Sequence, residues 1–355
     1  MKALILSGGK GRRLKPFTHT TTKQLLPLAN RPILFYIMDM VKELDIKDTG
    51  IIVSPEWSSS VRTAVGDGSI WDTKITYILQ PEPAGLAHAV KIARKFLEDS
   101  PFLMVLGDNV YKFDIKDFVA QFHKHNPDAL ILLKQVGNPS DFGIAELGKG
   151  AKVIKVEEKP KQPRSNLALA GTYLFSPAVH QAINALKPSS RGELEITDAI
   201  QQLIEVGKEV RGHILRGWWL DTGTVDDILT ANQKMLNEFV QSNMRGQLDS
   251  DTQIAGRVES KEGTIIKSSK IQGPVSIAEG CFIENSLIGP FVSMGSSTQV
   301  IHSSVENAII MENCHIRNIS LLADSIIGKR VVLSRNYEDS NKLTLSVGDD
   351  ATIML

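Results

Sequence analysis

Leu4-Ile5-Leu6-Ser7-Gly8-Gly9-Lys10-Gly11-Arg12-Arg13-Leu14-Lys15-Pro16 is an apolar, β-type run that stops at a glycine-rich, strongly basic loop. Lys23-Gln24-Leu25-Leu26-Pro27 follows ten residues after Arg13. Gly8, Gly9 and Gly11 lack a Cβ, so the backbone can close its N–H groups on a polyanion. Lys10, Arg12, Arg13 and Lys23 add cationic donors, arginine through a fixed fork. The pattern points to a triphosphate held by amides and cations. It fits neither the dinucleotide fingerprint nor the P-loop. An ordinary strand-to-helix turn with solvated basic residues would read the same way from this stretch alone.

Outward from it, β-type runs alternate with helical patterns as far as Phe239. Strands are expected at Ala3–Leu6, Gly50–Val53, Ile75–Leu79, Phe102–Leu106, Ala129–Leu133, Val153–Glu157 and Gly171–Phe175. Helices are expected at Ile33–Leu44, Ser59–Val65, Ala84–Phe96, Ile115–His125, Thr197–Val206 and around Thr224–Phe239. Nearly continuous apolar strands in such an alternation predict an α/β fold with a mostly parallel sheet covered on both faces. Ligands of these sheets sit beyond the carboxyl ends of the strands, where the glycine-rich loop leaves the first one.

The texture changes after residue 240. Gln241–Asp251 is polar without apolar period and reads as a linker. From about Ile254 the chain is rich in Ile, Val, Ser, Gly and Asn. Ser286-Leu287-Ile288-Gly289-Pro290-Phe291-Val292 recurs loosely as Ser325-Ile326-Ile327-Gly328-Lys329-Arg330-Val331, and Ser286 and Ser304 lie 18 residues apart, three hexapeptides. Short strands wound into stacked triangular coils are expected, in resemblance to the hexapeptide repeat of left-handed β-helices. A β-sandwich of Ile/Val strands is the competing reading. Tyr337–Asn341 with Leu343–Leu355 is the expected terminal cap. The domain division expected is 1–240, a linker 241–253, and a β-helix 254–355.

The 355 residues are 42% hydrophobic and 23% charged, ordinary for a globular protein. Forty basic residues balance forty acidic ones, so net charge gives no reason to expect nucleic-acid or membrane partners. Cys281 and Cys314 lack metal-site spacing and read as buried small hydrophobes. The chain opens directly on a strand and has no apolar run of membrane-spanning length, so a cytoplasmic enzyme is the expectation.

A bound triphosphate would need its charge neutralised, usually with a divalent cation. Magnesium favours one or two carboxylates with phosphate oxygens and water. Candidates are Asp108 in Gly107-Asp108-Asn109, just past an apolar strand, and Asp221 in Trp218-Trp219-Leu220-Asp221-Thr222-Gly223-Thr224. An aspartate past a strand end is equally often a cap or turn former. Gln80 in Gln80-Pro81 offers a planar amide to a pyrimidine edge, with Gly85-Leu86-Ala87 opening a helix beside it. His88 reads as a helix-surface residue. Glu157-Glu158-Lys159-Pro160 ends a strand with a carboxylate for sugar hydroxyls and an ammonium for phosphate. In isolation it is also a plain charged strand end.

The run L-I-L-S-G-G-K-G-R-R-L-K-P with T-K-Q-L-L-P, then Q-P-x-P-x-G-L-A-H-A, G-D-N, E-E-K-P and W-L-D-T-G-T, resembles in order the signatures of the sugar-1-phosphate nucleotidylyltransferases, over about residues 1–235. The likeness is greatest to the glucose-1-phosphate thymidylyltransferases, and the repeat domain to their long members. This family normally has Thr where the chain has Arg12. The resemblance implies a Rossmann-like nucleotidyltransferase domain and magnesium on Asp108 and Asp221. Arg13 and Lys23 would be the catalytic cations. The nucleotide would lie on Gly8, Gly9, Gly11, Arg12, Gln24, Gln80, Gly85 and Asn109, and the sugar phosphate on Gly143, Glu158, Lys159 and Gly171. Arg191-Gly192-Glu193-Leu194-Glu195-Ile196-Thr197-Asp198 matches a further family segment and reads mainly as a charged turn into a helix capped by Thr197, with Arg191 near the phosphate as the other option.

The implied reaction is dTTP plus α-D-glucose 1-phosphate giving dTDP-glucose and pyrophosphate. Alternatives are a UTP-dependent uridylyltransferase, a bifunctional enzyme whose β-helix transfers acetyl groups through His302 or His315, and a non-enzymatic nucleotide-sugar sensor. Apolar outer faces on the β-helix would pair subunits, so a homo-oligomer is expected.

Overall fold

The computed structural model describes residues 1–9, 11–335 and 345–354. Lys10 and the expected cap at Tyr337–Asn341 lie outside them. Packing divides the chain into two compact units: residues 1–10 with 34–220, and residues 11–33 with 221–355.

The first unit is built on one sheet. The strands Lys74–Leu79, Asp48–Val53, Lys2–Ser7 and Phe102–Leu106 run parallel in that spatial order. Beside Phe102–Leu106 lies the long antiparallel strand Leu167–Phe175, followed by Ala129–Gln135 and its parallel neighbour Val210–Ile214. The hairpin Gly143–Leu147/Val153–Glu158 joins through the first residues of Leu167–Phe175. Strands Lys2–Ser7 and Phe102–Leu106 are buried almost throughout, as helix-covered parallel strands must be. The register of Leu167–Phe175 against Ala129–Gln135 breaks between Leu169 and Tyr173. Gly171 stands there with φ +72°, the bulge residue that only glycine adopts without strain.

The expected α/β sheet is therefore present, with most strand ends within one or two residues of expectation. One predicted helix, Ala84–Phe96, is two, Leu86–Ile92 and Arg94–Leu97, divided at Ala93. Helix Ile196–Glu205 starts before Thr197, and its cap residue is Glu195. Strands Asn109–Lys112, Gly143–Leu147, Val210–Ile214 and Trp218–Asp221, and helix Ala178–Ala185, were not anticipated. Among the described residues no helix is long and apolar enough to cross a membrane.

The second unit joins residues 11–33 to a helix and a parallel β-helix. Segment 11–33 makes three single 3-10 turns and a tiny hairpin, Pro27–Leu28 with Arg31–Pro32. The hairpin turns on Ala29 and Asn30, both at positive φ, the geometry of a two-residue hairpin turn. Helix Val225–Phe239 opens with a reciprocal cap: the Thr224 hydroxyl accepts from Asp227 N–H, and the Asp227 carboxylate accepts from Thr224 N–H.

Three-residue strands then stack in register as coils. On one face Val258, Val275, Val292 and Ala308 align; on the next Ile266, Ile283, Val300 and Ile316; on the third Ile271, Ile288 and Val305. The period is 17 residues for most steps, not 18: Leu287 pairs with Ser304 and Ser286 receives the N–H of Ser303. Gln241–Asp251, expected as a linker, carries Asn243–Met244 and Gln247–Leu248, which pair with Glu259–Ser260 and Ile265–Ile266 as the first coil. Its polarity conceals this because these two-residue strands pack only Met244 against the core. Corners turn through left-handed residues such as Ser268, Asn285, His302 and Asn318. His302 is thus one of a column of exposed corner residues. The outer faces also depart from expectation. Most Ile and Val point inward, while Lys267, Lys270, Gln272, Glu306 and Arg317 face out together with Leu248 and Leu287.

Candidate functional site

In the first unit the carboxyl ends of the parallel strands come together. Gly107 N–H donates to Leu6 O, which brings Gly107-Asp108-Asn109 beside Ser7-Gly8. Gln80 N–H donates to Val53 O, placing Gln80 on the same edge. A methyl group on Gly8 would stand 2.8 Å from Gln80 Oε1, so glycine here is what admits the amide. Gln80 is buried, with Nε2 3.1 Å from His88 Nδ1 and 3.4 Å from Gly85 O. His88, expected as a surface residue, is the partner that orients Gln80. Gly85 sits at φ +100°, and a Cβ there would strike Leu194 O at 2.4 Å. The contact arises because Ala84 O and Ala87 N–H bracket Leu194 in two backbone hydrogen bonds. Gly9 is exposed at the loop tip.

Asp108 is half-buried and Asn109 fully so. At the Gly171 bulge a Cβ would lie 2.3 Å from Asn109 Nδ2, so the bulge is shaped around the Asn109 side chain. Ser7 Oγ, Asn109 Oδ1, Thr172 Oγ1 and Trp219 Nε1 are buried without a hydrogen-bond partner among the described residues. Buried polar atoms are rarely left so. Ser7 ends its strand and Asn109 follows the end of Phe102–Leu106 at the same edge, and a polar ligand would satisfy both.

A second constellation surrounds Glu158. Thr197 Oγ1 donates to Glu158 Oε2 at 3.2 Å, and a Cβ on Gly143 would lie 3.1 Å from the same oxygen. Arg191 Nη2 is 3.6 Å from Glu158 Oε1 and grips Glu195 through both carboxylate oxygens at 2.9 Å. Burial, then the charge of Glu195, pushes the Glu158 carboxyl above its ordinary range, against the pull of Arg191 and the Thr197 hydroxyl. Lys159 is exposed at φ +44°, its N–H held by Phe142 O, and Phe142 packs edge-on against Trp219. Glu195, Thr197, Ser7, Thr172 and Trp219 were not named from sequence as site residues. Glu195 and Thr197 lie in the segment read as a charged turn; only their distance to Glu158 reveals their part.

In the second unit Lys23 is buried to 7% exposure, with Nζ 3.4 Å from Asp221 Oδ1. Arg13 Nη2 and Asp221 Oδ2 both lie within 3.3 Å of where a Cβ on Gly223 would stand. Lys23 thus pairs with a carboxylate whose side chain is 38% exposed, and Arg13 reaches Gly223, two residues further on. Gly11 packs on Thr18, whose hydroxyl donates to Gly11 O at 2.8 Å. Arg12 is exposed on the same 3-10 turn as Arg13. Gln24 is fully buried and accepts the Thr22 hydroxyl, a structural use that its sequence motif did not show.

Among the described residues no three His, Cys, Asp or Glu side chains gather to hold an ion by themselves. Partly exposed carboxylates fit magnesium, which takes one or two of them and completes its shell with phosphate and water.

Polar groups gathered at the carboxyl edge of an α/β sheet stand where enzymes of this architecture bind their ligands. Residues 2–238 match the nucleotidyl transferase family model, and the chain belongs to that family. It is similar to a glucose-1-phosphate thymidylyltransferase of Streptomyces griseus, 43% identical over 349 residues that cover 98% of each chain. It is also similar to the low-salt glycan biosynthesis nucleotidyltransferase Agl11 of Haloferax volcanii, 45% identical over 331 residues, 93% of this chain and 92% of that one. Among solved structures, a Bacillus anthracis chain described as a glucose-1-phosphate thymidylyltransferase, in complex with a sucrose, matches 65% of this chain and 94% of its own at a TM-score of 0.62 and 37% identity.

Proposed function

We propose that the chain transfers a thymidylyl group from dTTP to α-D-glucose 1-phosphate, giving dTDP-glucose and pyrophosphate. The observation that carries the chemistry is the pairing of buried Lys23 with the partly exposed Asp221, with Arg13 reaching Gly223 nearby. A phosphate oxygen of the sugar phosphate, already ionised at neutral pH, forms the new bond to the α-phosphorus. The bond from that phosphorus to the pyrophosphate oxygen breaks, and no proton changes hands. The protein's task is then positioning and charge neutralisation. Lys23 and Arg13 neutralise the phosphoryl and leaving oxygens, and the amides of Gly8, Gly9 and Gly11 cradle the triphosphate, with Arg12 at its rim. Gln80 meets the base edge next to Gly85, and Gln24 stiffens the loop. Asn109 offers its oxygen to the nucleotide, Glu158 accepts the sugar hydroxyls beside Gly143 and Gly171, and Lys159 meets the sugar phosphate. Asp108 and Asp221 are the carboxylates for magnesium, which when bound adds further charge neutralisation on the phosphates.

The test is pyrophosphate release with glucose 1-phosphate across dTTP, UTP, CTP, ATP and GTP. The expected order puts dTTP first. One methyl on the base is worth about 1–3 kcal/mol, so UTP should follow at roughly a tenth of the efficiency or less. Higher kcat/KM with UTP would transfer the assignment to a uridylyltransferase, and no release with any triphosphate would remove it.

A further inference from the structure

The segment that carries Arg13 and Lys23 is fastened to the β-helix at points the reaction chemistry does not require. Asn30, in the positive-φ hairpin turn, donates from Nδ2 to both the carbonyl oxygen and the hydroxyl of Ser276, each at 2.9 Å. Its neighbour Ala29 donates its N–H to Asn232 Oδ1 at 2.8 Å, and the same oxygen accepts the Ser293 hydroxyl at 2.7 Å. Asn232 and Ser293 have no exposed surface. Ser276 and Ser293 are register partners on adjacent coils. At the other end of the segment, a methyl on Gly348 would touch Pro16 Cβ at 3.1 Å. Asn232 belongs to helix Val225–Phe239, whose capping residue Thr224 lies three positions beyond Asp221. One rigid element is therefore tied both to the carboxylate and to the loop of cations.

We propose that the β-helix is a positioning element for nucleotidyl transfer. The links Asn30–Ser276 and Ala29–Asn232–Ser293 set segment 11–33 so that Lys23 meets Asp221 and Arg13 reaches Gly223. The inference rests on the function proposed above. These four side chains act through the cations and not on substrate, so each is a positioning residue. A buried hydroxyl or amide whose hydrogen bonds end on a loop fixes the loop's place, because losing one partner strands the other in the interior. A displacement of about 1 Å at reacting groups is enough to cost some 100-fold in rate.

The experiment uses the full chain with Asn30→Ala, Ser293→Ala and, as the conservative change, Ser293→Thr. Steady-state pyrophosphate release is measured alongside amide hydrogen exchange over residues 11–33 and 34–220. The expected result is a fall in kcat of at least 10-fold in both alanine variants, with KM for glucose 1-phosphate within about 3-fold. Exchange should be faster over 11–33 and unchanged over 34–220, and Ser293→Thr should recover most of kcat. Parental kcat in both alanine variants overturns the proposal. If Ser293→Ala fails to fold, Asn30→Ala decides by the same criteria, since Asn30 is only partly buried. If the parent chain releases no pyrophosphate, the functional reading falls on its own. The exchange data then stand alone, and unchanged exchange over 11–33 overturns the anchoring as well.

Discussion

Lys23 offers its ammonium to Asp221 from a buried position, while Asp221 keeps part of its carboxylate in solvent. Removing the ammonium therefore strips charge from the site without leaving a fully buried anion. Lys23→Ala should lower kcat about 100- to 1,000-fold, the usual cost of losing one preorganised charge-stabilising donor. The melting temperature should move by only a few degrees; near-normal turnover in folded protein would remove Lys23 from its assigned place. Glu158 makes a different prediction. Its raised pKa means that the folded chain holds the proton more tightly than the unfolded chain does. That contribution to stability is present below the unfolded pKa and is lost as pH rises through the folded one. Glu158→Gln should thus melt higher than the parent at pH 7.5, with the gain vanishing toward pH 4, while KM for the sugar phosphate rises at least 10-fold. An equal melting difference at both pH values would contradict it. The motif residues themselves were legible because their types are unusual in those contexts. Glu195 and Thr197 were not, since what they do depends on Glu158, some forty residues earlier in the chain.

Cys281 and Cys314 fall into one corner column with Thr264 and Thr298. Each of the four donates its side-chain hydrogen to a backbone carbonyl: Thr264 to Ala278, Cys281 to Gly295, Thr298 to Met311 and Cys314 to Gly328. The cysteines are rungs. Burial pushes their thiols up to about 11 and about 12, so neither should react with an aromatic disulfide reagent at pH 8 until the protein is unfolded. Cys314→Thr should leave stability within about 1 kcal/mol, as a size-matched exchange at a satisfied site. Rapid labelling of the native protein would show that the column opens. The β-helix was recognisable from its Ile/Val spacing, but the register was misjudged by one residue per coil. A repeat of serines at 18 looks like three hexapeptides, and only the ladder reveals the step of 17. The main strands were legible because continuous apolar runs leave few choices. Strands Asn109–Lys112 and Trp218–Asp221 are too short to show a period. Helix Ala178–Ala185 did carry a signal: Pro177 stands at its entry, and Val179, Ala182 and Ile183 line its buried face.

Over the whole chain, composition and packing draw different lines. Residue types change near 240, yet segments 11–33 and 221–240 pack with the β-helix. Composition sees what a residue is and not what it touches, so an early segment that docks on coils 250 residues later is invisible to it. Helix Val225–Phe239 buries Ile228, Leu229, Met235 and Leu236, and a chain ending at Val240 would bare part of that face and release Asn30 from Ser276. Such a fragment should aggregate or turn over at least 100-fold more slowly; a soluble fragment with full activity would show that segment 11–33 holds its place unaided.

The ladder Ser276, Ser293, Ile309, Ile326 and Ser346 runs in register along the face where segment 11–33 is fastened at Asn30 and meets Gly348 at Pro16. Four steps of about 4.8 Å span some 19 Å, and the segment's two ends are matched to that length. Coil duplication or loss, the usual way such solenoids drift over evolution, is therefore not neutral everywhere. Added turns are harmless only outside that interval; one inserted within it would fold yet leave the segment one step short, as any gauge is spoiled by lengthening it in the middle.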